Sequence, residues 1–285
     1  MPDRVRGTGN GGNMHHIIRH AGQLFLDLLF PPVCPFCGRP WHKSFRAELR
    51  ELTDEIRGIQ RRKDSKAPAS GICPACRSKV PVVREPYCLK CGKPIEDETA
   101  EYCYDCSHRT HAFDEGRALY PHTGAAKRAV YELKYGDRRV YGIVFAREMA
   151  RHFNGWMNRK NITMIVPVPL HRGRLRERGY NQAAVIAKAL ADEFAGDREL
   201  YREDVLARET ETKRLKTLSP LERRIALEDA FRADLSSVPP GMRENILVVD
   251  DIYTTGSTVD AAAKCLKRAG AKHVFFLAVT IGQGV

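Results

Sequence analysis

The stretch Val248-Val249-Asp250-Asp251-Ile252-Tyr253-Thr254-Thr255-Gly256-Ser257-Thr258 decides how the rest of the chain is read. An apolar run, Ile246 to Val249, ends in two adjacent carboxylates. A short loop of hydroxyls and one glycine follows. Residues 258–269 then read as a helix stopping at Gly270. A helix N-terminus offers unpaired N–H groups and partial positive charge to an anion. Thr254, Thr255, Ser257 and Thr258 add hydroxyl donors, and Gly256 tolerates a positive φ and a close backbone approach. Asp250 and Asp251 repel a phosphate, so they suit vicinal hydroxyls or Mg²⁺ instead. A ribose 5-phosphate satisfies both halves. The plainer reading is a strand–turn–helix joint with Asp as its cap. The whole string favours the ligand.

The string resembles the phosphoribosyl pyrophosphate (PRPP) signature of type I phosphoribosyltransferases. It is not the dinucleotide fingerprint, whose glycines precede the acid, nor a P-loop, which ends in Gly-Lys-Ser/Thr.

Outward from this string, an α/β rhythm runs from about Phe113 to the last residues. Thr123 caps a helix over 124–135 that stops at Gly136, and a second covers about 142–154. Residues 162–169 read as a buried strand broken by Pro167 and Pro169. A loop spans 171–180. Asn181 caps another helix, with Ile186, Leu190 and Phe194 on one face. Residues 246–249 and 274–280 are further strands. Strands alternating with helices predict a mostly parallel sheet with helices on both faces. Ligands of such sheets bind at the carboxyl ends of strands, where both Asp250-Asp251 and the Pro167-Val168-Pro169-Leu170 turn fall. His171 to Gln182 carries four arginines, Arg172, Arg174, Arg176 and Arg178, able to grip a pyrophosphate or merely to be solvated. The polar tract 208–220 reads as a lid or a mobile connection.

Eight of nine cysteines fall in four C-x-x-C pairs: Cys34/Cys37, Cys73/Cys76, Cys88/Cys91 and Cys103/Cys106. Two residues between thiolates let both bind one tetrahedral ion, so four pairs make two structural zinc sites. An iron–sulfur cluster has the same ligand chemistry. Sequential pairing leaves 35 residues between the first two pairs and eleven between the last two; a cross-braced pairing stays open. The long first gap holds a helical insertion at about 41–66, with Leu49, Leu52 and Ile56 at helical spacing and a basic tract, Arg61-Arg62-Lys63. His108 and His111 read as solvated rather than ligating, and Cys265 as a structural thiol on a helix flank.

A length of 285 residues suits about two domains. We expect a disordered N-terminus over 1–23, a double zinc-ribbon domain over 24–110 and the α/β domain over 111–285. The longest apolar stretch near the start, Leu24 to Phe30, has seven residues and includes Asp27. That is far short of the roughly 20 of a membrane span, and no signal cleavage pattern follows it. A cytoplasmic protein is the expectation. Net charge is +12, with 17 basic and 13 acidic residues in 1–106 and 30 and 22 in the remainder. The excess has no single tail. It suits a polyanionic or phosphate-rich partner, or a mixed-charge surface and no more.

The order of these motifs resembles the ComF family, double zinc-ribbon proteins with a type I phosphoribosyltransferase-like domain. The likeness covers Leu24 to the C-terminus and includes ELKYG at 132–136, VPVPLHRGRLRERGYNQA at 166–183 and the stretch 247–274. It implies that Asp250 and Asp251 are catalytic and that Tyr253, Thr254, Thr255, Gly256, Ser257 and Thr258 bind PRPP. Val168 and Pro169 belong to the pyrophosphate loop, with Arg178 beside them. Mg²⁺ arrives with PRPP. The resemblance implies a phosphoribosyltransferase whose acceptor is open. It also implies a link to natural competence, with single-stranded DNA and DNA-processing proteins as partners. The alternative is a non-catalytic single-stranded-DNA-binding protein with PRPP as regulatory ligand. Leu215 and Ala226 depart from the family's usual Gln and Asn, which bears on the lid and acceptor site.

Overall fold

The computed structural model describes residues 33–40, 71–195, 200–209 and 230–282. The helical insertion at 41–66, Trp41, the Arg61-Arg62-Lys63 tract, the N-terminal 1–32, and most of the 208–220 tract with Leu215 and Ala226 lie outside them. Compactness divides the chain into two units between Cys73 and Pro74.

The second unit is built on four parallel strands: β1 (Glu115–Pro121), β2 (Met164–Pro167), β5 (Asn245–Tyr253) and β6 (His273–Ile281). Their spatial order is β1-β6-β5-β2. Val248 pairs with Phe276 and Val249 with Leu277, while Pro167 pairs with Val249. β5 and β6 are buried almost end to end, as strands covered on both faces must be. One face carries Ile246, Val248, Val274, Phe276 and Ala278. These share a cluster with Val259, Ala262, Ala263 and Leu266 of helix α7 (Ser257–Arg268). Those helical positions recur at i, i+3, i+4 and i+7, one buried stripe. The opposite face, with Leu247, Val249, Phe275 and Leu277, meets helices α3 (Gly124–Tyr135), α4 (Arg139–Arg159) and α6 (Gln182–Ala195). The expected parallel α/β architecture is present.

Several boundaries differ from expectation. β5 does not stop at Val249. It continues through Tyr253, because Ile252 and Tyr253 still pair with Thr280 and Ile281. The 171–180 segment is not a loop. It holds helix α5 (Arg172–Arg178), opened by His171, whose Nδ1 accepts from the Gly173 N–H, and closed by left-handed Gly179. Thr123 occupies the N-cap of α3 without a side-chain bond to the backbone. α4 runs three residues earlier and five later than expected. β1 was not anticipated. Neither was the antiparallel pair β3 (Leu206–Arg208) and β4 (Phe231–Ala233).

Two short helices, α1 (Pro74–Lys79) and α2 (Tyr104–His108), follow cysteine knuckles. α1 is tied to α4 through Glu148, 2% exposed, which accepts from Arg77 at 2.8 Å and Arg151 at 2.9 Å.

Candidate functional site

The carboxyl ends of β5 and β2 converge. Val168 N–H donates to Val249 O at 2.9 Å, which sets the 167–170 turn beside Asp250. Asn181 caps α6 through the Ala183 N–H and donates its amide to Val168 O at 3.0 Å, pinning the turn from below.

Because β5 is still a strand at residues 250 and 251, the two carboxylates point to opposite faces. Asp251, 7% exposed, pairs with Lys134 of α3 at 2.9 Å. Asp250 accepts the Asp251 N–H at 2.8 Å, and the charges of Lys134 and, more weakly, Arg208 favour its ionised form. Burial, then the charge of Asp251, push the Asp250 carboxyl up to about 7. Arg208 in turn is held below its usual range by burial and by Arg174. Its Nε is buried and has no hydrogen-bond partner among the described residues.

Beyond Tyr253 the chain turns sharply. Gly256 caps α7 with φ +78°, a conformation that L side chains rarely adopt. Thr254 and Thr255 are exposed, and the Thr255 and Ser257 hydroxyls lie 2.9 Å apart. The free N–H groups of the first turn of α7 open beside them. Tyr253 is buried and stacks on Phe276, ring centroids 4.6 Å apart. Arg178 does not stand free at the mouth. It donates to Gln182 Oε1 at 3.0 Å and to the Tyr135 hydroxyl at 3.2 Å. Gln182 is 1% exposed and its Nε2 has no partner among the described residues.

Reading by residue type had not singled out Arg208, Gln182 or His122 as site residues. His122 directly follows β1, lies 2.9 Å from the Thr280 hydroxyl, and is held below its usual range by burial and by Lys134. Gln182 lies within the 166–183 motif and Arg208 at the start of the polar 208–220 tract, but their meeting with the site depends on how the elements pack.

The cysteines fall into two sets. The sulphurs of Cys34, Cys37, Cys73 and Cys76, and those of Cys88, Cys91, Cys103 and Cys106, each lie within 4.8 Å of one another. The pairing is therefore sequential, not cross-braced. Tetrahedral sulphurs on zinc bonds of about 2.3 Å stand about 3.8 Å apart. Cys37 and Cys73 are 3.8 Å apart and Cys91 and Cys103 3.6 Å. The first knuckle of each set repeats one geometry: Gly38 N–H donates to Cys34 O, and Gly92 N–H to Cys88 O. Both sets fit structural zinc. His108 is exposed, as anticipated. His111 is not solvated. Its side chain is 5% exposed, stacked on Phe113 and 3.5 Å from Asp260. Cys265 is half-buried and donates to Phe231 O.

Comparison with known proteins agrees with this layout. Residues 62–107 match the double zinc ribbon domain family. The chain is 31% identical to competence protein ComFC of Bacillus subtilis over 71% of this chain and 80% of that protein. It is 26% identical to competence protein F of Haemophilus influenzae over 72% and 88%. It is also 28% identical to DNA utilization protein YhgH of Salmonella typhimurium over 72% and 87%. Among the described residues no helix is long and apolar enough to cross a membrane. With two sequential four-cysteine sets ahead of a parallel sheet, and a relative of this closeness matched over most of its length, the chain belongs to the ComF family.

Proposed function

We propose that the chain binds PRPP with Mg²⁺ at the carboxyl ends of β5 and β2 and transfers its phosphoribosyl group to a nucleophile in the context of DNA uptake. One observation carries this reading: two oppositely facing acids, one of them paired with Lys134, run directly into the glycine-capped loop of α7. In this reading the loop 254–258 holds the 5-phosphate through backbone N–H groups and hydroxyls. Asp250 and Asp251 hold the ribose hydroxyls, and the Val168-Pro169 turn, with Arg178 and Arg208 near it, receives the pyrophosphate. Mg²⁺ arriving with PRPP would supply positive charge against the departing pyrophosphate. The nucleophile adds at C1 as the C1–O bond to pyrophosphate breaks. The transition state resembles an oxocarbenium ion, so positioning and charge do the work. We assign the ribbon module to 24–110 and the phosphoribosyltransferase-like domain to 111–285. Eight free thiols in two metal sets suit a reducing compartment, the cytoplasm.

The test is a calorimetric titration of PRPP–Mg²⁺ into wild type and Asp250→Ala/Asp251→Ala protein. Binding lost in the double variant supports the site, and unchanged binding overturns it. Pyrophosphate release with nucleobases, ammonia or DNA as acceptor then tests turnover.

A second reading, single-stranded-DNA binding without catalysis, is favoured by exposed aromatics. Of the ribbon aromatics, Phe36 is buried and Tyr87 lies under Arg117, while Tyr102 and Tyr104 are open. Tyr131 and Tyr135 form an exposed pair 4.8 Å apart beside Arg178. Bases stack on such rings, and binding then weakens steeply with salt. Oligonucleotide affinity that ignores both salt and Tyr131→Ala/Tyr135→Ala removes this reading.

A further inference from the structure

The end of β1 reaches β5 through hydrogen bonds that cross β6. The His122 backbone N–H donates to Ile281 O at 2.7 Å. Its ring Nδ1 lies 2.9 Å from the Thr280 hydroxyl, and that hydroxyl donates to Asp251 O at 3.3 Å. A hydroxyl has one proton to give. With that proton on Asp251 O, the Thr280 oxygen can only accept from His122, so Nδ1 carries the ring's hydrogen. Nε2 is then a bare acceptor. The His122 side chain makes no other hydrogen bond among the described residues. The residue is half-buried, so solvent still reaches it.

The surroundings favour the neutral ring. Burial acts first, then Lys134 and Lys127 of α3, and the Asp251 carboxylate pulls the other way. Lys134 itself is held on that carboxylate at 2.9 Å. A neutral imidazole with a fixed tautomer and a free Nε2 is the state that a general base needs. The sheet also puts it on a particular side of the site. The strands run in the order β1-β6-β5-β2. In the PRPP reading the ribose lies on Asp250 and Asp251 at the end of β5, and the pyrophosphate lies at the turn after β2. An in-line nucleophile approaches C1 from the side opposite the leaving group. That side is β6 and β1. Neighbouring strands stand about 4.8 Å apart, so an acceptor over the end of β6 bridges the ribose and His122.

We propose that His122 is the general base of the transfer, its Nε2 taking the proton from an acceptor N–H or O–H seated over the end of β6. The role in transfer rests on the PRPP reading; the tautomer of His122 does not. The acceptor's nitrogen or oxygen bonds to C1 as the C1–O bond breaks. The electron pair of that bond leaves with pyrophosphate. The acceptor's proton passes to Nε2 and from there to solvent. Thr280 and the Asp251 carbonyl hold the ring in the tautomer that can receive it.

Nitrogen NMR of the zinc-loaded full chain tests the tautomer without any ligand, and His122→Asn identifies the His122 signals by their loss. Near neutral pH, Nδ1 should carry the proton and Nε2 should be bare. A proton on Nε2 overturns the proposal. Turnover is the second arm. Asparagine presents its amide where Nδ1 stood, so His122→Asn keeps a donor for Thr280 and offers no base. It should bind PRPP–Mg²⁺ as wild type does, by calorimetry. Its pyrophosphate release, with ammonia, nucleobases and single-stranded DNA as acceptors, should fall about a hundredfold or more, the scale of general-base catalysis. Equal release by both proteins overturns the proposal. So does a wild type that binds PRPP and releases pyrophosphate with none of these acceptors. No heat from PRPP in wild type, with Nδ1 still protonated, overturns the PRPP reading itself and the role in transfer with it.

Discussion

Asp250 carries the least comfortable charge of the site. Its folded carboxyl holds a proton up to about 7, against 3.8 ordinarily, because burial and the Asp251 charge oppose ionisation. Folding therefore takes up a proton between these values, and stability from this group falls as pH rises through that window. Asp250→Asn, fixed neutral, should melt higher than wild type at pH 8 and equally at pH 4, read by thermal unfolding. Ligand binding runs the other way. Ribose hydroxyls and Mg²⁺ favour the ionised carboxylate, so PRPP–Mg²⁺ affinity should rise between pH 6 and 8 with proton release visible by calorimetry in buffers of different ionisation heat. Asp251 contrasts with its neighbour, since Lys134 stands 2.9 Å away. Lys134→Ala strands a buried carboxylate and should cost about 3–5 kcal/mol. Lys134→Ala/Asp251→Ala should recover part of that in denaturant titration. The acid pair and the hydroxyl loop after it were visible in the sequence as a strand–turn–helix joint. Their opposite facing was not, because it depends on β5 remaining a strand past Val249, and that follows from pairing with β6.

At the scale of elements, local chemistry reads well where it acts alone. α3, α6 and α7 were anticipated because apolar spacing and turn residues mark them. β1 escaped notice because Glu115-Gly116-Arg117 looks like a loop; it is a strand because its backbone completes the sheet beside β6. The β3–β4 pair is three residues a side and has no periodic signal at that length. α5 was hidden by its charge. Four arginines suggested a solvated loop, yet the His171 cap and left-handed Gly179 close two turns of helix around them. Two glycines fix how elements meet, and both make predictions. Gly256→Ala meets the Tyr253 hydroxyl at 2.5 Å and forces a positive φ on alanine. It should weaken PRPP–Mg²⁺ binding at least tenfold while leaving zinc content at wild type. Gly92→Ala meets backbone, not a movable side chain. It should cost about 2–4 kcal/mol, the sum of a left-handed alanine and an overpacked contact, measured by urea unfolding.

At the scale of the whole molecule, the sequential cysteine sets differ in setting, and that difference governs how metal leaves. Cys37 of the first set is exposed and lies in the first unit, while Cys88 and Cys91 of the second are sealed in a cluster with residues of β5, β6 and α7. A chelator reaches the first set by local opening of a short knuckle. It reaches Cys88 and Cys91 only when packing around Phe113 and Tyr253 gives way, an opening that approaches global unfolding in cost. Zinc release to a colorimetric chelator should therefore run in two equal phases, one zinc per chain each. The slow phase should track loss of the far-ultraviolet dichroism of the α/β domain and share its urea dependence, whereas the fast phase should be nearly independent of urea. PRPP–Mg²⁺ should slow only the slow phase, because the ligand stabilises the state that buries the second set. A single phase, or a slow phase that precedes the loss of secondary structure, would show that the second ribbon opens independently of the sheet it packs on.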